Sequence, residues 1–278
     1  MKSSHSIKRI QNACAHTFLI LVGLFFLLPF IWMVSTSLKP DNELFLWPPK
    51  WIPSTLVWSN YPDSVNYVPF FTYLGNTLTI SVLATLGVLF ACPLAAYGIA
   101  RIPWKGAKPL FAITLVVMMV PYQVTMIPIF ILFKNFGWVG INIPLWLPAF
   151  FGAPFYIFLL RQFFMGLPKE LEDAARIDGA PELLIYWKIM LPLCKPALLT
   201  IALFQFMGSW TDYQGPLIYL SDESQYTIML GLQAFKTQHG AEWQMLMAAS
   251  VIVILPIIIL YFLVQKSFIQ GITFSGIK

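Results

Sequence analysis

The sequence has little charge, few cysteines and no nucleotide-binding motif. Only 10% of its 278 residues are charged and 58% are hydrophobic, whereas soluble globular proteins carry roughly 25% charged residues. The three cysteines (Cys14, Cys92 and Cys194) are far apart and the three histidines are isolated, so no disulfide framework or metal site is predicted. Because a GxxxxGK[ST] phosphate loop is missing, we expect no cofactor and no ATP hydrolysis by this chain.

The sequence contains long hydrophobic runs. A helix needs about 20 mostly apolar residues to cross the hydrocarbon core of a membrane. Six runs meet this requirement: 16–38, 71–99, 109–133, 141–162, 197–219 and 243–265. The first has no small-residue cleavage site and is predicted to be a retained span and not a signal peptide. The sequence therefore predicts an all-α integral membrane protein with six transmembrane helices in a single domain, residues 1–278.

The distribution of basic residues predicts the orientation. Cytoplasmic loops carry an excess of lysine and arginine. With the N-terminus inside, thirteen of the 17 basic residues lie in inside segments, including Lys2, Lys8, Arg9, Lys266 and Lys278. The outside segments hold Lys39, Lys50, Lys134 and Lys236. Both termini are therefore predicted to be cytoplasmic.

The first external connection, 39–70, is rich in proline and tryptophan, most densely at Trp47–Pro53. Proline at this density cannot continue a helix, so an irregular segment is predicted. It is either a simple linker or part of a docking surface for an external partner. Within the spans, proline predicts kinks at Pro121, Pro128, Pro148 and Pro154.

A charged cytoplasmic loop, 163–196, interrupts the hydrophobic runs. A helix is predicted after Pro168, with acidic residues near its positive end and Gly179 ending it in a left-handed conformation. A second helix follows Pro181, with an apolar stripe of Leu183, Leu184, Trp187 and Leu191. A charge run of this kind is either a solvated hairpin without a partner or a docking element.

The loop carries a spaced motif that favours docking. Asp173-Ala174-Ala175 is followed after three residues by Gly179, and after nine more by Ile189-Met190-Leu191-Pro192. Every spacing matches the cytoplasmic loop of ATP-binding-cassette importer permeases, which this chain resembles. The family's glutamate is replaced by Asp173, and Glu172 precedes it.

Other segments resemble carbohydrate permeases of the maltose type. They are Ser37-Leu38-Lys39-Pro40, Ala95-Ala96-Tyr97 before Arg101, Gly208–Asp212 and Gly271-Ile272-Thr273. In the third, Gly208–Asp212, Thr211 stands where relatives commonly have asparagine.

The resemblance implies a type I importer permease fold in the inner, cytoplasmic membrane. It also implies two cytoplasmic ATP-binding subunits, a second permease subunit in a heterodimer, and an extracytoplasmic solute-binding protein. The implied function is ATP-driven import of a sugar or related polyol by alternating access. The residues implied to couple to the ATPase are Glu172, Asp173, Ala174, Ala175, Gly179, Ile189, Leu191 and Pro192.

A second candidate site, which contains Asp212, lies in the fifth hydrophobic run, 197–219. Gly208, Gly215 and Pro216 predict a broken helix there. An acidic residue at membrane depth is expensive and tends to face a cavity. Trp210 and Tyr213 could stack on a sugar ring. The candidate substrate pathway is Gln205, Trp210, Thr211, Asp212, Tyr213 and Gln214. The other interpretation places the aromatic side chains in an interfacial belt and Asp212 in headgroup water.

Two other classes compete with the importer. A polytopic membrane enzyme would need His, Asp, Cys or Ser residues clustered at one membrane face, and no such cluster is visible in the sequence. A carrier working without ATP would favour several buried charges and a repeated half, and we find one marginal acidic residue and no repeat. Co-purification of an ATP-binding subunit would distinguish all three classes.

Overall fold

The computed structural model describes residues 2–237 and 240–274, with side chains described for 11–236 and 241–265. Lys278 and the side chains of Lys2, Lys8, Arg9, Lys266 and Gly271–Thr273 lie outside this description. Among these residues the regular elements are helices, apart from an antiparallel ladder of β1 (Lys236–Thr237) and β2 (Gly240–Ala241), and irregular segments connect them. The α-helices in chain order are α1 (Lys2–Ser37), α2 (Asn60–Tyr67), α3 (Phe70–Ala100), α4 (Ala107–Met118), α5 (Tyr122–Asn135), α6 (Ile143–Trp146), α7 (Pro154–Gly166), α8 (Glu170–Ile177), α9 (Glu182–Ile185), α10 (Leu191–Leu193), α11 (Lys195–Trp210), α12 (Gln214–Tyr219), α13 (Ile228–Gly231) and α14 (Trp243–Phe274).

Four of the described helical segments are long and apolar enough to cross a membrane: Gln11–Ser37, Phe70–Ala100, Ile143–Gly166 and Trp243–Gln265. Two bent pairs raise the number to six if each pair counts as one span. The first pair, α4 and α5, bends by 101° at a break before Tyr122. Pro121 occupies that break in an extended conformation, at one of the predicted kinks. The second pair joins Glu182–Leu193 to Lys195–Trp210 at 75°.

The contacts divide the chain into two compact units. One unit is Met1–Val68 with Leu232–Ile254, and the other is Pro69–Gly231 with Leu255–Lys278.

In the first unit, α1 exposes large apolar side chains such as Phe25 and Phe26. The turn after α1 is held by Asn60, whose amide donates to the carbonyls of Ser37 (2.9 Å) and Lys39 (3.2 Å). The buried Lys39 ammonium lies 3.8 Å above the ring of Trp32.

The external connection is less irregular than the sequence predicts. Residues 44–59 contain no helix, but Asn60–Tyr67 forms α2, so the prediction is wrong for this part. The reason is that Pro62 falls in the first turn of α2, where a proline nitrogen has no intrahelical partner to lose.

Glu43 holds the irregular part together. Its carboxylate accepts hydrogen bonds from the Lys50 ammonium (2.8 Å), the Ser54 amide (3.1 Å) and the Ser54 hydroxyl. The hydrogen bonds from Lys50 and Ser54 lower the pKa of Glu43 to about 2. Trp47 and Ile52 remain among the most exposed apolar side chains of this connection.

In the second unit, α3 packs against α7, α11 and the 3₁₀ turn Leu147–Phe151. Its core includes Cys92, Ala96, Leu160, Phe164 and Ile201, all fully buried.

The start of α3 is fixed to the segment before α13. The Tyr73 hydroxyl donates to Glu223 (2.8 Å), the Asn76 amide donates to the carbonyls of Ser224 (2.8 Å) and Tyr226 (3.0 Å), and Thr77 accepts from the Ile228 amide (2.8 Å). The opposite end of α3 contacts the charged loop through Tyr97 and the adjoining Arg101.

Candidate functional site

The charged loop folds as two helical segments joined by a glycine turn. Acidic residues occupy the first turn of α8 and Arg176 its last turn, as the helix dipole favours. Gly179 has φ +81°, and the Ala180 amide donates to the Ala175 carbonyl (3.0 Å). These features confirm the predicted left-handed end of the first helix.

The two alanines of the motif face different ways. Ala175 is buried in the core cluster that also contains Tyr97 and Ile185. Ala174 is exposed. Only Ala174 therefore offers the shallow surface that a partner could approach closely.

Several apolar side chains of the loop are exposed to solvent. Ile177 is 87% exposed and Leu183 is 65% exposed, and Leu184 and Trp187 are about half exposed. Neighbouring side chains at Ile185, Tyr186, Met190 and Cys194 are buried. We call Ala174, Ile177, Leu183, Leu184 and Trp187 the exposed apolar set of the loop.

The two consecutive acids also differ. Glu172 is buried, 3.5 Å from the Arg101 guanidinium and 3.7 Å from that of Arg176. Burial raises the pKa of Glu172, and the nearby Arg101 opposes this rise. Asp173 is 65% exposed and pairs with Arg176 at 3.1 Å. Asp173 is thus the exposed acid of the two, and Glu172 is part of the interior.

Further polar contacts join the loop to the end of α3. Arg176 lies 3.2 Å from Glu182, which also accepts a hydrogen bond from the Tyr97 hydroxyl. Arg101 donates to the carbonyls of Phe164 and Leu167, where α7 ends.

The last part of the motif attaches the loop to the core. Ile189 and Leu191 are partly buried and pack against the core cluster. Ile189 lies in a π-helical turn, Tyr186–Met190, and Pro192 lies exposed in α10. The eight predicted coupling residues therefore lie in α8, the glycine turn, the π-helical turn and α10. Only Asp173, Ala174, Gly179 and Pro192 are exposed.

The second candidate site is a cavity of about 760 Å³. Asp212 and Gln214 line it together with aromatic side chains, among them Tyr122, Trp138 and Tyr219. The Asp212 carboxylate accepts a hydrogen bond from the Gly215 amide (3.0 Å) and so caps the start of α12. The Gln214 amide contacts the Met126 sulfur at 3.3 Å.

The break that contains Asp212 lies between Trp210 and Gln214. Gly208 lies inside α11, and Gly215 and Pro216 lie inside α12. The helix is broken as predicted, but at Thr211–Tyr213 and not at a glycine.

The other predicted pathway residues do not line this cavity. Trp210 is buried and stacks on Phe206 at 5.3 Å between ring centroids. The Gln205 amide donates to Ser209 (2.9 Å), and the Thr211 hydroxyl donates to the Met207 carbonyl (2.8 Å).

Sequence reasoning missed the aromatic lining. Tyr122, Trp138 and Tyr219 lie in three separate segments and share no local pattern. Among the described residues, no group of three or more His, Cys, Asp or Glu side chains could hold a metal ion.

Comparison with known proteins identifies the family. The family described as "Binding-protein-dependent transport system inner membrane component" matches residues 83–274. An arabinooligosaccharides transport system permease protein of Halalkalibacterium halodurans is 35% identical over 253 residues, covering 90% of each chain. A diacetylchitobiose uptake system permease protein of Streptomyces coelicolor is 28% identical over 260 residues, covering 93% of this chain and 94% of the relative.

A solved structure shares the fold. A chain of a bacterial ABC transporter involved in the import of the acidic polysaccharide alginate superposes with a TM-score of 0.80 at 26% identity. The match covers 94% of this chain and 97% of that one. This chain therefore belongs to the family of binding-protein-dependent transport system inner membrane components and is a multi-pass permease subunit.

Proposed function

We propose that this permease imports a sugar, an oligosaccharide or a related polyol, driven by ATP hydrolysis on partner subunits. The observation that carries the proposal is the charged loop, whose exposed apolar set has no cover within the described chain. An exposed apolar patch marks a surface that another protein or the membrane covers, and the spaced motif of the loop favours a protein. The excess of basic residues on the same side of the spans supports a cytoplasmic location for that protein.

The names of the relatives support a saccharide cargo. They are named for arabinooligosaccharides and diacetylchitobiose, and the transporter with the similar fold imports alginate. The individual cargo of this chain is a separate question, which measurement of solute-stimulated ATP hydrolysis by the reconstituted complex answers.

The proposed assembly contains two cytoplasmic ATP-binding subunits, a second permease subunit and an extracytoplasmic solute-binding protein. We expect the two permease subunits to differ, as the maltose-type resemblance implies. Residues 1–278 act as one permease domain with the six spans that the hydrophobic runs predict. Both termini and the loop 163–196 face the cytoplasm.

The proposed coupling residues fall into three groups. Asp173 and Ala174 meet the ATPase directly, since both are exposed. Glu172, Ala175 and Gly179 give the loop its shape. In the third group, Ile189 and Leu191 join the loop to the core of the second unit, and Pro192 follows them in α10.

The proposed cargo contacts are centred on the cavity beside α12. Aromatic faces can cover the apolar side of a sugar ring, while a carboxylate and an amide bond its hydroxyls. Asp212 and Gln214 supply the polar groups, and Tyr122, Trp138 and Tyr219 supply aromatic surface. Gln205, Trp210, Thr211 and Tyr213 support the broken helix that presents Asp212.

The docking proposal is tested by Ile177→Asp. A charge in place of an interface isoleucine should weaken ATPase binding by about 2 kcal/mol or more, roughly 30-fold. The measurement is co-purification of the ATPase subunit together with cargo uptake, and both should fall sharply.

Ile52→Asp is the matched control, because Ile52 is 82% exposed in the external connection and receives the same substitution. It should leave ATPase binding unchanged. Normal ATPase binding and uptake by Ile177→Asp, expressed at the wild-type level, would refute docking at this loop.

A further inference from the structure

Helix α3 ends against the charged loop with two polar side chains one turn apart. Residues four positions apart lie on the same helix face. Tyr97 is in the last turn of α3, and Arg101 follows it, its amide donating to the Tyr97 carbonyl at 2.9 Å. One face of a long apolar helix thus presents both a hydroxyl and a guanidinium to the loop.

Each of these side chains holds a different half of the loop. The Tyr97 hydroxyl donates to Glu182, the first residue of α9. The Arg101 guanidinium lies 3.5 Å from the Glu172 carboxylate in α8. Arg176 connects the two halves, at 3.7 Å from Glu172 and 3.2 Å from Glu182.

Arg101 also fixes the point where the chain enters the loop. It donates to the carbonyls of Phe164 and Leu167 at the end of α7. Its side chain is 3% exposed and that of Glu172 is 4% exposed. Replacing a buried ion pair by apolar side chains is often neutral or stabilising, so burial of this pair is weak evidence for a purely stabilising role.

We infer that Tyr97 and Arg101 are positioning residues that transmit displacement of the loop to α3. This inference rests on the proposed function, since it takes the loop as the element that the ATPase moves. Apolar contacts can slide past one another, whereas hydrogen bonds are directional. Tyr97 holds its half of the loop by a hydrogen bond, and Arg101 holds the other half by a buried ion pair at 3.5 Å. A pull on either half of the loop therefore reaches α3 and the helices packed on it, α7 and α11.

The test is Tyr97→Phe in the assembled and reconstituted importer. The variant removes one hydroxyl and keeps the ring contacts with Phe164 (5.6 Å) and Tyr186 (5.1 Å). We expect the ATPase subunit to co-purify and to hydrolyse ATP, while cargo imported per ATP falls by about fivefold or more.

Three further variants distinguish transmission of the loop displacement to α3 from an effect on the stability of the protein. Tyr186→Phe is the matched control, because Tyr186 is buried in the same cluster and no hydrogen bond of its hydroxyl is found among the described residues. It should leave cargo per ATP unchanged. Glu182→Gln keeps an acceptor for Tyr97 and should retain coupling, whereas Glu182→Ala should reproduce the loss.

Wild-type cargo per ATP in Tyr97→Phe would overturn the inference, as would an equal loss in Tyr186→Phe. Equal losses of cargo per ATP in Glu182→Gln and Glu182→Ala would also overturn it. Both variants lose the ion pair with Arg176, but only Glu182→Ala loses the acceptor for Tyr97, so equal losses would assign the effect to the ion pair. None of these results bears on docking, which Ile177→Asp tests through ATPase binding. The failures of the two proposals are therefore distinguishable.

Discussion

Consecutive residues of α8 serve opposite sides of the loop, because each residue advances about 100° around an α-helix. Glu172 and Ala175 point into the core of the second unit, and Asp173 and Ala174 point outward. The replacement of the family's glutamate by Asp173 therefore falls on an exposed side chain that already pairs with Arg176. The shorter side chain shortens the reach toward a partner and leaves the interior ion pair intact.

At Asp212, charge and helix capping can be separated by substitution. Asp212→Asn keeps an oxygen that can accept from the Gly215 amide, and Asp212→Ala removes it. If the carboxylate contacts cargo, both variants should lower uptake several-fold at low cargo concentration and keep the ATPase bound. Asp212→Ala should in addition lower the stability by about 1 kcal/mol.

Uptake over a range of cargo concentrations and thermal unfolding of the purified complex measure the two effects. Uptake by Asp212→Asn equal to that of the wild type at every concentration would remove the carboxylate from the pathway.

The sequence predicts the polar part of this site better than its apolar part. A carboxylate within a hydrophobic run is a rare signal, so Asp212 stands out without a structure. Tyr122 and Trp138 are ordinary residues of a span and a connection, since aromatic side chains are common throughout this chain. Tyr122 and Trp138 become part of the cavity lining only when α5, α6 and α12 fold around the cavity.

Helix α3 approaches the 3₁₀ turn Leu147–Phe151 closely at Gly87. A Cβ atom at this position would lie 2.6 Å from a ring carbon of Phe150 and 2.9 Å from its backbone nitrogen. Because a backbone atom cannot turn aside as a flexible side chain can, the two elements would have to move apart.

Gly87→Ala should therefore destabilise the protein by about 1–3 kcal/mol through overpacking. Gly98→Ala is the control in the same helix, since a Cβ there meets no atom within 4 Å. The control should be neutral or stabilising by up to about 1 kcal/mol, because alanine favours the helix over glycine. Thermal unfolding of the purified complex in lipid nanodiscs measures both, and equal shifts would contradict the close approach.

The four predicted proline kinks have different outcomes. Pro121 lies at the break before α5, Pro148 lies in the 3₁₀ turn Leu147–Phe151 and Pro154 begins α7, whereas Pro128 lies inside α5. The missing amide and the ring of Pro121 account for the break between α4 and α5. The break at Thr211–Tyr213 lies at residues that can all adopt helical conformations, and Asp212 stabilises it by capping the next helix. An Asp side chain that bonds to a nearby backbone amide competes with a continuous helix, and composition does not show which of the two forms.

At the scale of the whole molecule, the basic residues predict which loops face inward. Ile52 and Lys105 are both exposed and lie in connections predicted to be outside and inside, respectively. In a Cys14→Ser background, a membrane-impermeant maleimide should label Ile52→Cys in intact cells and Lys105→Cys only after permeabilisation. The buried Cys92 and Cys194 should remain unlabelled. Labelling of Lys105→Cys in intact cells would reverse the orientation.

The hydrophobic runs alone predict that the chain spans a membrane, since apolar runs of this length match the thickness of the hydrocarbon core. The spaced motif and the resemblance predict the family, which the comparison confirms. The division of contacts between two compact units was not predicted, because it depends on which helices pack together and not on their individual hydrophobicity.

The hydrogen bonds of Glu43 affect how the stability of the external connection depends on pH. An ordinary glutamate titrates near pH 4.3, but Glu43 has a pKa of about 2. Its contribution to stability is complete above about pH 4.3 and is lost only as the pH falls through about 2. If the connection faces outward as proposed, its shape withstands acidification of the medium.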